Sequence, residues 1–358
     1  MKKIGKAGGY ILLLSFMSVT ILAFSGFEIP ELQTLLGNRI DGDVDHDSDS
    51  ADFAVDNNSG CSLLRASIIN VSQADSILIE SPQNKTILID TGSSMKKDSA
   101  SAMMDYLISN NITRIDHLLL THYHEDHIGG MRELSTADIE IKNIYHNGNC
   151  DHYSSKIAKF TETFAIKNNA TTISSDTTVE IDECTVAKMI VAYDRKEGCW
   201  NNENDNSILL RLIYGNTSML FTGDCEGECE EELLAQQTEL GSDVLKIGHH
   251  ASRTSSSDDF LEEVDADYYI ISADKNRSAK DGYYHPRKEV LSRIYDFGGG
   301  GKTFRTDLDG TVTVVSDGKN IAVGLEGKND DCLLFMGYGS SNPEDYSIIG
   351  KLENQCNK

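Results

Sequence analysis

The chain has 358 residues and a formal net charge of −25, with acids spread along its length. A surface of that sign repels a long polyanion and excludes a broad nucleic-acid-binding groove, but a short phosphodiester end can still enter a metal-lined cleft. The length suits one catalytic-sized domain with appendages, and eight cysteines without paired CxxC motifs argue against a structural zinc site.

Lys2, Lys3 and Lys6 precede an uncharged stretch from Ala7 to Phe27 containing "YILLLSFMSVTILAF". Cations ahead of about 20 apolar residues form an export signal. Ala23-Phe24-Ser25 resembles a signal-peptidase site, whereas the length also suits an uncleaved anchor. Residues 1–28 are therefore expected to be a signal peptide or membrane anchor, with the remainder extracytoplasmic, either tethered by that single segment or secreted. Residues 29–60 read as an acidic flexible linker. Its aspartates at 41, 43, 45, 47, 49 and 52 imitate a calcium loop, but His46 stands where the sharp turn needs glycine and Asp52 where glutamate is usual.

From Leu64 the pattern changes to short apolar runs separated by turns. "RASIINV", "DSILIES" and "TILIDTG" predict a β-meander, with "PQNK" as a turn. "SASAMMDYLISNN" predicts a helix with Met103, Met104, Leu107 and Ile108 on one side, followed by the strand "IDHLLLTH". "NSILLRLIYGNTSMLFTGD" predicts two strands joined at Gly215-Asn216, then an acidic helix through "CEEELLAQQTEL". "DVLKIGHH", the helix "SDDFLEEV", the strand "DYYIISA" and the helix "PRKEVLSRIYDFG" follow, and "KTFRTDLDGTVTVVSDGKNIAV" predicts a closing hairpin near Asp309-Gly310. Strands and helices alternating around meanders suggest an α/β protein of two packed sheets with helices outside. Residues 61–330 form the expected domain and 331–358 a C-terminal extension. In an exported protein an even number of cysteines permits disulfides whose pairing the sequence leaves open; Cys225 and Cys229 in "DCEGEC" read as structural or as a local bridge.

The chemistry concentrates in "THYHEDHIGG", residues 121–130. Imidazole and carboxylate both suit zinc, and a turn after the apolar strand can aim His122 and His124 at one ion and Asp126 and His127 at its neighbour. Against an exposed loop with chance histidines, four ligand-type side chains in six positions beside an apolar strand is a specific signal.

"HYHEDH" matches the HxHxDH signature of the metallo-β-lactamase superfamily. With "SIINVSQADSILIESPQNKTILIDTGSS", "NDNSILLRLIYGNTSMLFTGD", "DVLKIGHHASRTSS" and "YYHPRKEVLSRI", the chain resembles the extracellular hydrolase domain of ComEC-type competence proteins over about residues 64–325. The resemblance implies an αβ/βα four-layer sandwich of two mixed sheets, here preceded by one apolar helix, with a two-metal site at one edge. It places Asp224 as a bridging carboxylate and His285 as the last ligand beside Asp126, His127 and Asp224; His122, His124 and Asp224 then need one more donor. Lactamases supply a histidine from mid-chain, but His146 and His152 lack that context and read as loop histidines. Instead the His249-His250 pair is implied to complete the first ion or protonate the leaving group, with His250 favoured for the direct role, and Ala251 replaces the usual glycine.

Asp90 in "IDTG" matches a motif whose carboxylate supports a ligating imidazole. "VSQAD" puts Ser72 and Ala74 where glycines are usual, and Asn204, Asn206 and Ser207 either face the cleft or make a turn. Ser252, Arg253 and Thr254 either bind a phosphate oxygen or cap the next helix. Lys246 reads as a strand end.

Two divalent ions, zinc or manganese, would share a water, lower its pKa and hold a bridging hydroxide in line with an electrophile. The implied function is an exported, metal-dependent phosphodiesterase or nuclease acting on a nucleic-acid end or a cell-envelope phosphodiester. Its other expected contact is the membrane, through an uncleaved N-terminal segment; no feature marks a stable protein partner. Two alternatives stand beside it: a β-lactam or lactone hydrolase, and a non-catalytic surface module associated with DNA uptake. With one hydrophobic segment, the chain is not expected to be a channel of the ComEC type.

Overall fold

The computed structural model describes residues 61–95, 98–149, 152–192, 199–274, 284–299 and 302–325. The apolar N-terminal segment, the acidic linker and residues 331–358 lie outside the described residues. Among the described residues, no helix is long and apolar enough to cross a membrane.

The predicted meander forms β1 (Leu64–Ile68), β2 (Ile77–Glu80) and β3 (Thr86–Ile89), antiparallel to one another. α1 (Ser99–Ser109) follows, and Met103 and Leu107 are buried while Ile108 is 63% exposed. Residues four apart share a face whereas the next residue is turned about 100° away, so one row reaches the sheet and the other does not. β4 (Arg114–Leu120) is buried from Ile115 onward, as a parallel strand covered on both faces requires.

Residues 131–200, which patterning left unassigned, supply α2 (Met131–Thr136), β5 (Glu140–His146), α3 (Lys156–Lys167), β6 (Thr171–Thr172), β7 (Thr177–Glu180) and β8 (Thr185–Val191). β5 buries only Ile144 and His146, and β7, four residues at a sheet edge, has one apolar residue, Val179, and none fully buried, so apolar patterning marks neither. His146 is therefore no loop histidine. It ends a strand, its Nδ1 lying 2.8 Å from the Tyr123 hydroxyl and its Nε2 3.2 Å from Thr172 Oγ1.

β9 (Ile208–Tyr214) and β10 (Thr217–Phe221) form the expected hairpin. Then come α4 (Gly227–Ala235), β11 (Val244–Lys246), α5 (Asp258–Val264), β12 (Tyr268–Ile271) and α6 (Lys288–Asp296). The closing hairpin is displaced from its expected position. β13 (Thr303–Arg305) joins β12 in parallel, α7 (Thr306–Asp309) carries the chain across to the other sheet, and the hairpin is β14 (Val312–Ser316) with β15 (Ile321–Leu325). Its turn is built by Asp317, whose Oδ1 accepts the backbone N–H groups of Lys319 and Asn320. An Asp-Gly pair signals a turn, but only sheet pairing decides whether the turn joins two neighbouring strands.

The first sheet runs β15-β14-β1-β2-β3-β4-β5-β6 and the second β13-β12-β11-β10-β9-β8-β7. Ile68, Ile79, Ile87 and Leu119 of the first meet Met189, Leu210, Phe221 and Ile270 of the second in a shared core. The outer face of the first sheet packs on α1, α2 and α3, and that of the second on α4, α5 and α6. This is the αβ/βα sandwich, and each fully buried Leu or Ile contributes roughly 1.5–3 kcal/mol.

Cys61, just before β1, is disulfide-bonded to Cys184, just before β8, so a bridge with a sequence separation of 123 ties the two sheets together. Cys225–Cys229 is a local bridge, and no described cysteine is free. Replacing both Cys61 and Cys184 by serine is expected to lower stability by about 2–5 kcal/mol, read as a shifted denaturant midpoint.

Glu230 of α4 is buried, and its carboxylate accepts the backbone N–H groups of Ser256 and Ser257, fixing the segment that leads into α5. Ser257 itself caps α5 by accepting from Phe260 N. Burial pushes the Glu230 carboxyl up to about 7, against the opposing pull of these N–H groups. With a folded pKa above the ordinary 4.5, the native state holds the extra proton, so this contribution is complete below about 4.5 and is lost as pH rises toward 7. Glu230→Gln is expected to remove up to about one proton's worth of slope from stability against pH in that window, measured by urea unfolding.

Candidate metal centre

The turn after β4 is held by the segment after β3. Thr91 N donates to His127 O at 2.6 Å, Gly129 N to Gly92 O at 2.7 Å and Gly130 N to Thr91 O at 3.1 Å. A Cβ on Gly129 would lie 1.9 Å from Ser94 N, and one on Gly130 would lie 2.3 Å from Thr91 O. The two glycines that close "HIGG" thus permit a backbone approach that no larger residue allows.

Asp224, just beyond β10 and 1% exposed, lies where the ends of β4, β10 and β11 converge. Its Oδ2 is 3.8 Å from His122 Nε2 and 3.8 Å from His249 Nε2, and His122 Nε2 is 3.1 Å from His124 Nδ1. Its Oδ1 is 3.2 Å from His127 Nε2 and 3.8 Å from His250 Nε2, which is also 3.7 Å from Asp126 Oδ2. Two donor sets that share Asp224 result, His122, His124 and Asp224, and Asp126, His127, Asp224 and His250; a third cluster, Asp75, Asp90 and His127, adjoins the second.

The division of the histidine pair differs from the expected one. His250 joins Asp126 and His127, not His122 and His124, while His249 faces the oxygen of Asp224 that His122 faces. The cause is a left-handed turn: φ is 46° at His249, 53° at His250 and 64° at Ala251. Left-handed backbone costs roughly 1–2 kcal/mol per residue for side chains with a Cβ, and here it turns adjacent imidazoles to different oxygens of one carboxylate. His285 lies outside both sets, its ring centroid 5.5 Å from that of His249. His250 therefore takes the place expected for His285 beside Asp126, His127 and Asp224.

Supporting groups fix these rings. Asp90 Oδ2 lies 2.7 Å from His127 Nδ1, and the Asp90 carboxylate also accepts from Thr121 N and Thr121 Oγ1. Ser207 Oγ accepts from Asp224 N at 3.1 Å and stands 3.4 Å from His122 Nδ1. Asn206 braces the 3-10 turn Glu203–Asn206 through backbone bonds to Trp200 and Asn202, and Asn204 Nδ2 reaches to 3.4 Å from His249 Nδ1. Ser207 and Asn204 thus face the site, whereas Asn206 makes the turn.

Sequence reasoning missed Glu226, Glu203 and the burial of Lys246. Glu226 pairs with His249 Nδ1 and accepts from Thr254 Oγ1. Glu203 accepts from Tyr123 N and Asn147 Nδ2. Lys246 ends β11 with 0% exposure and donates to Asp75; a lone lysine inside the apolar run "VLKIG" was the available signal. Ser252 Oγ lies 2.9 Å from Thr254 Oγ1, while Arg253 and Thr254 are exposed. None of these three caps α5, a task that falls to Ser257.

Electrostatics separate the histidines. Burial and the nearby His127 hold His122 well below its ordinary pKa. Burial works against protonation of His127 too, but Asp224 and Asp90 overcome it and raise that imidazole well above the ordinary value. Burial likewise opposes the charge on Asp224, yet His127, His249 and His250 pull it well below the carboxylate range. His285 is pushed down to about 3, chiefly by burial.

Buried polar atoms without a hydrogen bond gather here: both ring nitrogens of His250 and His285 Nδ1, beside His127 Nε2 and Asp224 Oδ1, which face each other at 3.2 Å. Each such atom costs roughly 1–3 kcal/mol when left unsatisfied. Clustered imidazole and carboxylate donors of this kind fit a divalent metal.

Residues 69–186 match the family model described as Metallo-beta-lactamase superfamily. The chain is 27% identical to ComE operon protein 3 of Bacillus subtilis (strain 168) over 68% of its own length and 32% of that protein's. It is 28% identical to Competence protein ComA of Neisseria gonorrhoeae over 68% of its length and 31% of that protein's. It thus spans about a third of the length of these curated relatives. Among solved structures, a diphosphatase from the PhnP family aligns at 14% identity with a TM-score of 0.40, over 71% of this chain and 98% of that one. The chain therefore carries a metallo-β-lactamase superfamily domain and is homologous to the ComEC-type competence proteins.

Proposed function

We propose that this protein is an exported or membrane-anchored metal-dependent phosphodiesterase, acting on nucleic-acid ends or cell-envelope phosphodiesters. The observation that carries the reading is the pair of donor sets sharing Asp224. His122 and His124 would hold one divalent ion with Asp224, and Asp126, His127 and His250 would hold the other with the same carboxylate. Bound ions of this kind polarise a phosphoryl oxygen and bring the pKa of water toward neutrality.

The chain's own groups complete the chemistry. Glu226 fixes His249 through Nδ1, and Asp224 with Glu226 raises the His249 pKa against the effect of burial. His249 is thereby suited to hand a proton to a leaving oxygen. The exposed Arg253 is available to a phosphate oxygen as the substrate enters. The Cys61–Cys184 and Cys225–Cys229 bridges support an oxidising compartment, consistent with export. Names of relatives such as Competence protein ComA and Recombination protein 2 favour nucleic-acid phosphodiesters over lactams. His146, one of the two mid-chain candidates for a lactamase-type third histidine, is engaged by Tyr123 and Thr172.

Purified protein loaded with zinc or manganese is expected to hydrolyse bis-p-nitrophenyl phosphate and to lose that activity to a chelator. Asp224→Asn and His122→Ala should each lower kcat/KM by at least about 100-fold, equivalent to ~3 kcal/mol. Turnover of nitrocefin with every phosphodiester left intact would overturn the reading in favour of a lactamase. Chelator-insensitive polymer binding without turnover would overturn it in favour of a binding module.

A further inference from the structure

Behind the set formed by Asp126, His127, Asp224 and His250 lies another buried carboxylate. Asp75, in the loop between β1 and β2, is 1% exposed, and its Oδ2 accepts from Lys246 Nζ at 2.8 Å. Lys246 belongs to the opposite sheet, and its ammonium also donates to Ile247 O at 3.0 Å. The other oxygen, Asp75 Oδ1, is buried without a hydrogen bond and lies 3.7 Å from His250 Nδ1, which is buried and unbonded as well. His250 thus points Nδ1 at Asp75 and Nε2 at Asp126 and Asp224.

A carboxylate facing one nitrogen of a ligating imidazole favours the proton there and leaves the lone pair on the other; Asp75 Oδ1 faces His250 Nδ1 at 3.7 Å, an electrostatic approach longer than a hydrogen bond. His127 has the hydrogen-bonded form of this pairing, its Nδ1 2.7 Å from Asp90 Oδ2 while Nε2 meets Asp224. A fully buried ion pair is a poor stabiliser, since desolvation offsets much of its attraction and apolar residues of similar volume do as well or better. The Asp75–Lys246 pair therefore calls for a reason beyond stability, and His250 provides one.

We propose that Asp75 is the positioning residue for His250, and that Lys246 reaches across from the second sheet to hold the Asp75 carboxylate in place for that task. The inference rests on the reading of His250 as a metal ligand. The left-handed turn that carries His250 sets the direction of the ring but not its tautomer; the carboxylate supplies what the backbone cannot.

The test uses the whole 358-residue chain, with zinc stoichiometry by elemental analysis, zinc affinity by competition with a chromophoric chelator, and thermal unfolding of the metal-free form. Asp75→Asn is expected to weaken the binding of one of two ions by about 10–100-fold and to lower the metal-free Tm, since Lys246 is left buried and unpaired. The double variant D75N/K246M removes the charge pair together; it should regain most of the lost Tm while zinc affinity stays low. It also carries the test if Asp75→Asn alone does not fold. Cobalt substitution should show an altered ligand-field spectrum for one site of the double variant. Recovery of wild-type zinc affinity together with Tm in the double variant would make the pair structural and overturn the proposal. A wild-type protein that binds no ion would overturn the proposed function as well, whereas two ions bound with unchanged affinity in Asp75→Asn would overturn this inference alone.

Discussion

Everything at this site depends on one buried carboxylate. Asp224 is almost fully removed from water, and a charge in that position has to be met by nearby cations or donors. Its two oxygens face different imidazoles, His122 and His249 on one side and His127 and His250 on the other. Those histidines come from both sheets, so the sandwich must close before the carboxylate has its partners. Fold and site are coupled through that requirement.

Backbone conformation, more than side-chain choice, aims these groups. Gly129 and Gly130 let the turn after β4 press against the segment after β3, which brings Asp90 against His127. Three successive left-handed residues, two of them histidines, send neighbouring rings to opposite oxygens of Asp224. Ser72, in the loop that carries Asp75, is also left-handed, with φ of 68°. Where glycine would adopt these angles without strain, Ser72 and Ala251 bear a cost, and residues that keep such conformations cluster at functional sites.

The outer supports form a layer the linear pattern does not mark. Asp90 serves His127 and Glu226 serves His249. Asp90 was recognisable because it sits in a motif of its own. Glu226 was not: in "GDCEGEC" it is one acid among several, and only the docking of the Gly248–Ala251 turn against the end of β10 selects it over Glu228 and Glu230. Glu230, one helix turn beyond Glu226, is instead occupied with the backbone that leads into α5.

The sequence by itself determined the elements whose apolar period is strong, such as β4, the β9–β10 hairpin and α5, because hydrophobic burial acts on local spacing. It also determined that His122, His124, Asp126 and His127 emerge together at one strand end, since six consecutive positions cannot be far apart. The tertiary structure decided the rest. It placed His250 with Asp126 and His127, set His285 beside His249, moved the closing hairpin past α7, and buried Lys246 against Asp75. Each of these depends on contacts between residues tens to hundreds of positions apart, and on backbone angles at single residues, neither of which is written in the spacing of apolar side chains.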